Sequence, residues 1–391
     1  MKIIILGGGS GDVGRDVTRI LLRDKKHVSH ITITSRNLHY AQKFVIDLND
    51  RRVTALEVDV TNKQQLIDSI KGHDLVINTI GPFSKYAIPV MKAAINSKVN
   101  YIDICDDIEP TIEALQLNQF AKNSNIFILL SMGWFPGMSN LRAIALAREM
   151  DDVEEIITAW VAGRKSPEEH PSLGLAGTEH YFEGLTGKIL SFRNGQRVRI
   201  PIDHKGVKLT FPKPLGTITC YQMEHPEVAT LPYSIPGLKN ATNLMSLYPS
   251  NRNNFIRLLA KAVDLKLFSL SMVTKISAIL GKSKKKRFLP VLIGEYIACI
   301  GTKDGKRGQL SFSAVNKKLT VAEATSQPLA CAVLYLTSDG KIDPGVHLAE
   351  NALKLEDIVE YGEKLNLPFV KDHKEKITWS EEIISITRGY H

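Results

Sequence analysis

Short apolar runs alternate with stretches of helical periodicity through the first third of the chain. Lys2–Leu6, Ile31–Thr34, Thr54–Val58, Leu75–Thr79, Tyr101–Ile104 and Phe127–Leu130 are rich in β-branched residues and mostly lack polar alternation. Such runs fit strands covered on both faces of a parallel sheet. Between them, Val17, Ile20, Leu21 and Leu22 recur at helical spacing, and the stretches Leu66–Ile70, Ala87–Ile95 and Thr111–Ala121 are helix-like. The rhythm predicts an α/β fold: a Rossmann, doubly wound parallel sheet with right-handed crossovers. It stops around Gly133. From Ile156 short strands and turns take over, with hairpins predicted over Ile189–Ile200 and Ile297–Val315. Their turns fall at Asn194-Gly195 and Asp304-Gly305, pairs suited to backbone with positive φ. Leu355–Leu365 is again helical, with acidic residues at its start.

A length of 391 residues allows two domains with separate cores. Hydrophobic residues make up 43% and mean hydropathy is −0.07, which excludes a disordered chain. No apolar run approaches the roughly 18 residues of a membrane span, so stable membrane insertion is not expected. Met1–Leu6 is too short and too soon followed by glycines to act as a signal peptide. Cys105, Cys220, Cys299 and Cys331 are scattered without a CxxC pair, so neither a disulfide framework nor a metal site is expected and a cytoplasmic location is. The charge is 50 − 41 = +9, but Lys282–Arg287 holds much of the excess. A solvated basic loop explains that run, and no nucleic-acid partner is expected.

The first strand runs into Gly7-Gly8-Gly9-Ser10-Gly11-Asp12-Val13-Gly14, in which Gly9, Gly11 and Gly14 form a GxGxxG frame. Gly9 is expected to allow the tight turn, Gly11 the approach of a diphosphate, and Gly14 close packing of helix on strand. The N-terminus of the following helix then offers N–H groups to the phosphates. After the second strand an NAD site usually carries an acidic residue, for the ribose 2′-hydroxyl. Here the residues are Ser35-Arg36, with Arg36 lying 36 − 14 = 22 positions past Gly14. A guanidinium pairs with a 2′-phosphate that a carboxylate would repel, so NADP(H) is the expected cofactor. Asp59, followed by Val60, is placed either to meet the adenine amino group or to cap the helix that starts near Asn62. Thr79, Gly81, Pro82 and Phe83 leave the fourth strand beside the switch point, where nicotinamide and substrate should meet.

Asn78–Phe83, Tyr86, Ala93-Ala94, Tyr101-Ile-Asp103 and Gly133-Trp-Phe-Pro-Gly-Met-Ser-Asn140 occur in that order. The chain resembles the saccharopine dehydrogenase-like family, which includes saccharopine reductase, carboxynorspermidine dehydrogenase and lysine 6-dehydrogenase. The resemblance covers Met1–Asn140 and returns at Gly340–His347, while the middle matches loosely at Phe211–Gly216 and His225–Pro232. It implies a Rossmann NADP-binding domain over 1–132 and an inserted α+β substrate and dimerisation domain over 133–340. A segment over 341–391 would return to the first domain. It also implies a small-molecule substrate and a homodimer. Two departures stand out. Phe135 occupies the acidic position of the Gly-Leu-Asp-Pro-Gly motif of saccharopine reductase, and Cys105-Asp106-Asp107 replaces a Ser-Tyr segment. Saccharopine itself is therefore not the expected substrate.

Hydride transfer belongs to the cofactor, and the protein supplies orientation, electrostatics and a proton route. Asp106 and Asp107, past the fifth strand, are the first candidates for a catalytic carboxylate, with helix capping before Pro110 as their structural alternative. Asp103, inside an apolar run, reads as structural and bonded to a loop N–H. Cys105 has no base nearby in sequence and reads as a buried thiol. His180 is a candidate general acid, with Tyr181 as another proton donor. His170 and His225 precede prolines and carry less, and Arg164 and Arg193 serve equally as carboxylate clamps or surface pairs. Phe255, Leu258, Leu259, Val263, Leu267, Leu270 and Val273 form a helical stripe. It reads as a core or dimer face, with peripheral contact to an anionic membrane as the alternative. The expected function is an NADP(H)-dependent oxidoreductase acting on the CH–NH bond of an amino-acid- or polyamine-derived substrate. The alternatives are an enoyl-reductase-like enzyme acting on a lipid-like C=C bond and a non-catalytic NADP-binding module.

Overall fold

The computed structural model describes residues 1–163, 181–281, 292–371 and 373–384, which divide into two compact units. Met1–Leu141 with Val321–Lys371 forms the first. Arg142–Thr320 and the described residues from 373 onward form the second.

In the first unit β1 (Lys2–Leu6), β2 (His30–Ser35), β3 (Val53–Glu57), β4 (Leu75–Asn78), β5 (Asn100–Asp103) and β6 (Phe127–Leu130) alternate with helices. These are α1 (Asp12–Leu21), α2 (Leu38–Leu48), α3 (Lys63–Ile70), α4 (Phe83–Ser97), α5 (Ile108–Leu115) and α6 (Asn118–Asn123). α7 (Met138–Ala147) then leads into the second unit. A strand near the far end of the chain, β15 (Gly345–Leu348), completes a seven-stranded sheet in the order β15-β6-β5-β4-β1-β2-β3. Every pairing in it is parallel. Ile3, Ile4, Ile5 and Leu6 are fully buried because helices cover both faces of the central strand, which is why no polar alternation marks it. The register sets Leu6 of β1 beside Asn78 of β4, so the loops leaving the two strands emerge together where the strand order reverses.

The second unit is built on a nine-stranded mixed sheet. Its path is β10 (Val207–Thr210), β11 (Thr217–Gln222), β12 (Asn240–Tyr248), β7 (Asp152–Gly163), β13 (Ile293–Lys303), β14 (Lys306–Asn316) and β16 (His373–Ser380). The hairpin of β8 (Lys188–Arg193) and β9 (Gln196–Pro201) joins β12. Both expected hairpins form, and their turn residues take positive φ: Asn194 +49°, Gly195 +77°, Asp304 +52° and Gly305 +73°. α8 (Glu227–Ser234), α9 (Asn251–Asp264) and α10 (Leu270–Gly281) are helices of this unit. Arg142 and Glu295 form a buried ion pair, with the guanidinium over the Phe312 ring.

Relative to the boundaries read from the sequence (1–132, 133–340 and 341–391), two segments change places. α11 (Val321–Ser338) belongs to the first unit, where the Ser326 hydroxyl donates to Asp16 of α1 and Gln327 accepts from the Phe369 N–H. β16 belongs to the second unit because it pairs along its length with β14. The single helical stretch expected over Thr111–Ala121 is two helices, α5 and α6, separated at Gln116-Leu117.

Candidate functional site

The glycine loop turns at Gly7, whose φ of +84° suits glycine and whose N–H donates to Thr34 Oγ1 at 3.2 Å. The sequence reading placed the turn at Gly9. That glycine instead serves close packing, since a Cβ there would meet the Cβ of Ala41 on α2 at 2.6 Å. Gly14 has the packing role expected of it: its Cβ would lie 2.8 Å from Gly8 Cα and 2.9 Å from Thr79 Oγ1. At Gly11 an added Cβ would meet only the Gly7 carbonyl, at 3.1 Å, so the backbone is open where a diphosphate must approach. Gly11 is also the N-cap of α1 and has no capping side chain. The first turn of a helix has no intrahelical acceptors for its N–H groups, and in α1 that turn opens with Asp12, Val13 and Gly14, directly after Ser10 and Gly11. A crowded frame around one open position fits a dinucleotide diphosphate.

Ser35 ends β2 and is buried, with its Oγ accepting from the Asn37 N–H at 3.2 Å. Arg36 is exposed just beyond it. Asp59 accepts from the Thr61 N–H at 2.9 Å and the Thr61 hydroxyl at 2.7 Å. These bonds, with a smaller contribution from the Arg36 guanidinium, hold its carboxyl below the usual range. The cap of α3 is Asn62, which accepts from the Gln65 N–H at 3.1 Å, so Asp59 is not that cap. Arg36 and Asp59 therefore share the exposed end of the β2–β3 edge, with Val60 buried behind them.

Thr79 donates its hydroxyl to the Leu6 carbonyl at 2.8 Å, pinning the loop after β4 against the end of β1. Gly81 and Pro82 follow, Pro82 is the N-cap of α4, and Phe83 is buried as its first residue. The two adjacent aspartates separate in role. Asp107 is buried, and its Oδ2 accepts from the Ser84 N–H at 2.7 Å, so its carboxylate is committed to the start of α4. Its carbonyl holds the Thr111 hydroxyl at 2.7 Å. Asp107 therefore acts as a cap, but the helix its side chain caps is α4 and not α5, which it precedes. Asp106 remains half-exposed, close enough to Asp103 to push that carboxyl upward. An Asp107→Ala chain should lose about 1 kcal/mol of stability with the cap, readable by urea unfolding.

The sequence reading missed a buried chain of polar groups beneath these loops. The Asn78 amide donates to the Tyr101 hydroxyl at 3.0 Å, and that hydroxyl donates to Asp103 Oδ2 at 2.9 Å. Asp103 Oδ1 accepts from the Ser131 N–H at 2.7 Å and the Cys105 N–H at 3.2 Å. Burial raises the Asp103 carboxyl to about 6 despite these donors. Ser131 takes φ +59° at the end of β6, and its buried hydroxyl has no partner among the described residues. The Cys105 thiol is buried and pushed up by burial and by Asp103, an inert environment for a nucleophile. Past β6, Trp134 and Phe135 meet edge to face, and the Asn140 amide donates to buried Glu350 at 2.9 Å. His180, His170, Arg164 and Lys282–Arg287 lie outside the described residues. His225 sits buried in the second unit, bonded to Glu227 at 2.5 Å. Among the described residues no group of side chains has metal-ligand geometry.

A parallel sheet whose glycine loop opens at the switch point, with a cation at the end of its second strand, defines a Rossmann-type dinucleotide-binding protein. Comparison with known proteins narrows the class. Residues 3–128 match the saccharopine dehydrogenase NADP binding domain, and the curated proteins similar to this chain carry saccharopine dehydrogenase names. It is 30% identical over 142 residues to the saccharopine dehydrogenase [NADP(+), L-glutamate-forming] of Pyricularia oryzae, covering 36% of this chain and 29% of that one. It is 23% identical over 226 residues to a saccharopine dehydrogenase-like oxidoreductase of Bos taurus, covering 54% and 51%. The matches thus span about a third to a half of the length of these curated relatives. In fold, the chain superposes on the apo saccharopine dehydrogenase (L-Glu forming) of Saccharomyces cerevisiae with a TM-score of 0.69 at 14% identity, covering 96% of this chain and 99% of that one. The matched domain accords with NADP(H) as the cofactor.

Proposed function

We propose that this chain is an NADP(H)-dependent oxidoreductase acting on the CH–NH bond of an amino-acid- or polyamine-derived substrate. The observation that carries the reading is the glycine loop, crowded at Gly9 and Gly14 and open at Gly11, within a segment that matches an NADP binding domain. The CH–NH bond is taken from the relatives named as saccharopine dehydrogenases. Ser35 and Arg36 hold the 2′-phosphate, Gly11 and the start of α1 the diphosphate, and Thr79–Phe83 shape the nicotinamide end. When bound, the nucleotide supplies or accepts the hydride. Asp106, half-exposed just past the carboxyl end of β5, is the carboxylate assigned to stabilise an iminium and accept the proton of an amine. Asp107 positions the start of α4 through Ser84. The four cysteines are buried and unpaired, which fits a reducing cytoplasm.

The test offers amines paired with keto acids alongside activated enoyl thioesters, and follows NADPH absorbance. Turnover of the first group alone supports the reading. Turnover of the thioesters alone would move the enzyme to C=C reduction, a second reading favoured by the half-buried, apolar Phe135, at the position where the resemblance to saccharopine reductase implies an acid. Tight NADPH binding without turnover by either group would leave a binding module. With an active substrate in hand, Asp106→Asn should lower kcat about a hundredfold with a small change in KM. Asp107→Ala should leave kcat within about fivefold, since its role is a cap. The reverse order would move the proton route to Asp107.

A further inference from the structure

The stripe over Phe255–Val273 is a helical hairpin, not one amphipathic helix. α9 and α10 are joined by a turn over 265–269 in which Lys266 takes φ +59°. The inner face of the hairpin is settled: Leu259, Ala260 and Val273 are buried with Phe182, Leu185, Met223 and Met245. Its outer face is apolar as well. Phe255 is 43% exposed, Leu258 66%, Leu265 60%, Leu267 69%, Phe268 39% and Met272 48%. Few soluble surfaces gather so many large apolar side chains in one element without a partner.

Cations are interleaved with these side chains. Over 251–281 the chain carries Arg252, Arg257, Lys261, Lys266 and Lys275 against Asp264 alone, a net charge of 5 − 1 = +4. Lys261, Lys266 and Lys275 are exposed. Asp264 is engaged: its Oδ1 accepts from the Gly187 N–H at 2.6 Å and its Oδ2 pairs with His204 at 2.9 Å. A dimer face would be expected to set unlike charges opposite one another or to exclude charge from its centre. Here like charges sit among the apolar groups, and Leu265, Lys266, Leu267 and Phe268 are consecutive exposed residues at the turn. Leucine and phenylalanine can enter the headgroup boundary from such a tip while lysine stems reach anionic headgroups. We propose that the α9–α10 hairpin docks the protein peripherally on an anionic lipid bilayer, with Leu265–Phe268 entering the interface and Lys261, Lys266 and Lys275 contacting headgroups.

The test is co-sedimentation of the full chain with vesicles of phosphatidylcholine and phosphatidylserine at 4:1, and with phosphatidylcholine alone. Binding is expected to the anionic vesicles, with marked weakening in 0.5 M salt. The L267D/F268D variant should bind at least about tenfold more weakly. K261E/K266E/K275E should weaken binding by roughly fivefold for each cation removed. All these side chains face solvent, and an unchanged thermal midpoint with unchanged NADPH titration identifies folded variants. Three results would overturn the docking: no binding to anionic vesicles; binding by L267D/F268D equal to the parent, which would place the contact elsewhere on the chain; or self-association lost in L267D/F268D with no vesicle binding, which would make this face an interface between two copies.

Discussion

Arg36→Glu is expected to weaken NADPH binding about a hundredfold while changing NADH binding by less than about threefold. Arg36 is exposed immediately after β2, and its charge is felt by Asp59 across the same edge of the sheet. A 2′-phosphate held there gains charge-assisted bonds from the guanidinium, each on the order of 1.5–3 kcal/mol. Glutamate removes them and adds repulsion beside a second carboxylate. Since 1.4 kcal/mol is about tenfold in affinity, a hundredfold loss is a moderate expectation for the pair of effects. NADH carries no 2′-phosphate and loses nothing electrostatic. Titration of the parent and the variant with both nucleotides, followed by nicotinamide fluorescence, measures the difference. Equal weakening of both would mean that Arg36 shapes the adenosine pocket without touching the phosphate. An unchanged NADPH affinity would remove it from the site.

Much of this edge could be read from the chain because its signals are local. Runs such as Lys2–Leu6 are apolar throughout because both faces of β1 are covered, and glycines are needed wherever backbone turns or packs closely. Asn194-Gly195 and Asp304-Gly305 announced their hairpins through the positive φ that such turns demand. What stayed hidden was set by pairing at a distance. Asn78, Tyr101 and Asp103 meet only because β4 and β5 pair in the register that sets Asn78 beside Asp103. Nothing near Gly9 announces that Ala41 will pack against it from another helix. The exchange of α11 and β16 between units has the same origin, since a local pattern fixes an element but not the sheet it joins. In the Phe255–Val273 stripe the break at 265–269 contains no glycine or proline, so the periodicity ran through it unmarked. The two aspartates look alike in sequence, and only the position of the Ser84 N–H tells them apart.

The buried polar chain yields the second large effect, one with a definite sign in pH. Asp103 titrates near 6 in the fold against 3.8 as the ordinary value, because burial penalises its charged form more than its three donors favour it. Between those values the folded chain binds more protons than the unfolded one. Its contribution to stability is therefore fully present below pH 3.8 and is lost as the pH rises through about 6. Other groups titrate in the same window, so the informative quantity is the stability difference between the parent and Asp103→Asn at each pH. That difference should move in favour of the asparagine chain by on the order of 2–3 kcal/mol between pH 4 and pH 7. Asp103→Leu removes the acceptor of the Tyr101 hydroxyl and of the Ser131 and Cys105 N–H groups together. It should cost at least about 3 kcal/mol at every pH. Hydrogen exchange of the segments holding β5 and β6 reads both effects within the first unit, apart from the second. A parent-minus-asparagine difference that stays flat from pH 4 to pH 7 would mean that Asp103 is ionised throughout. The three donors, not burial, would then govern the carboxyl beneath the site.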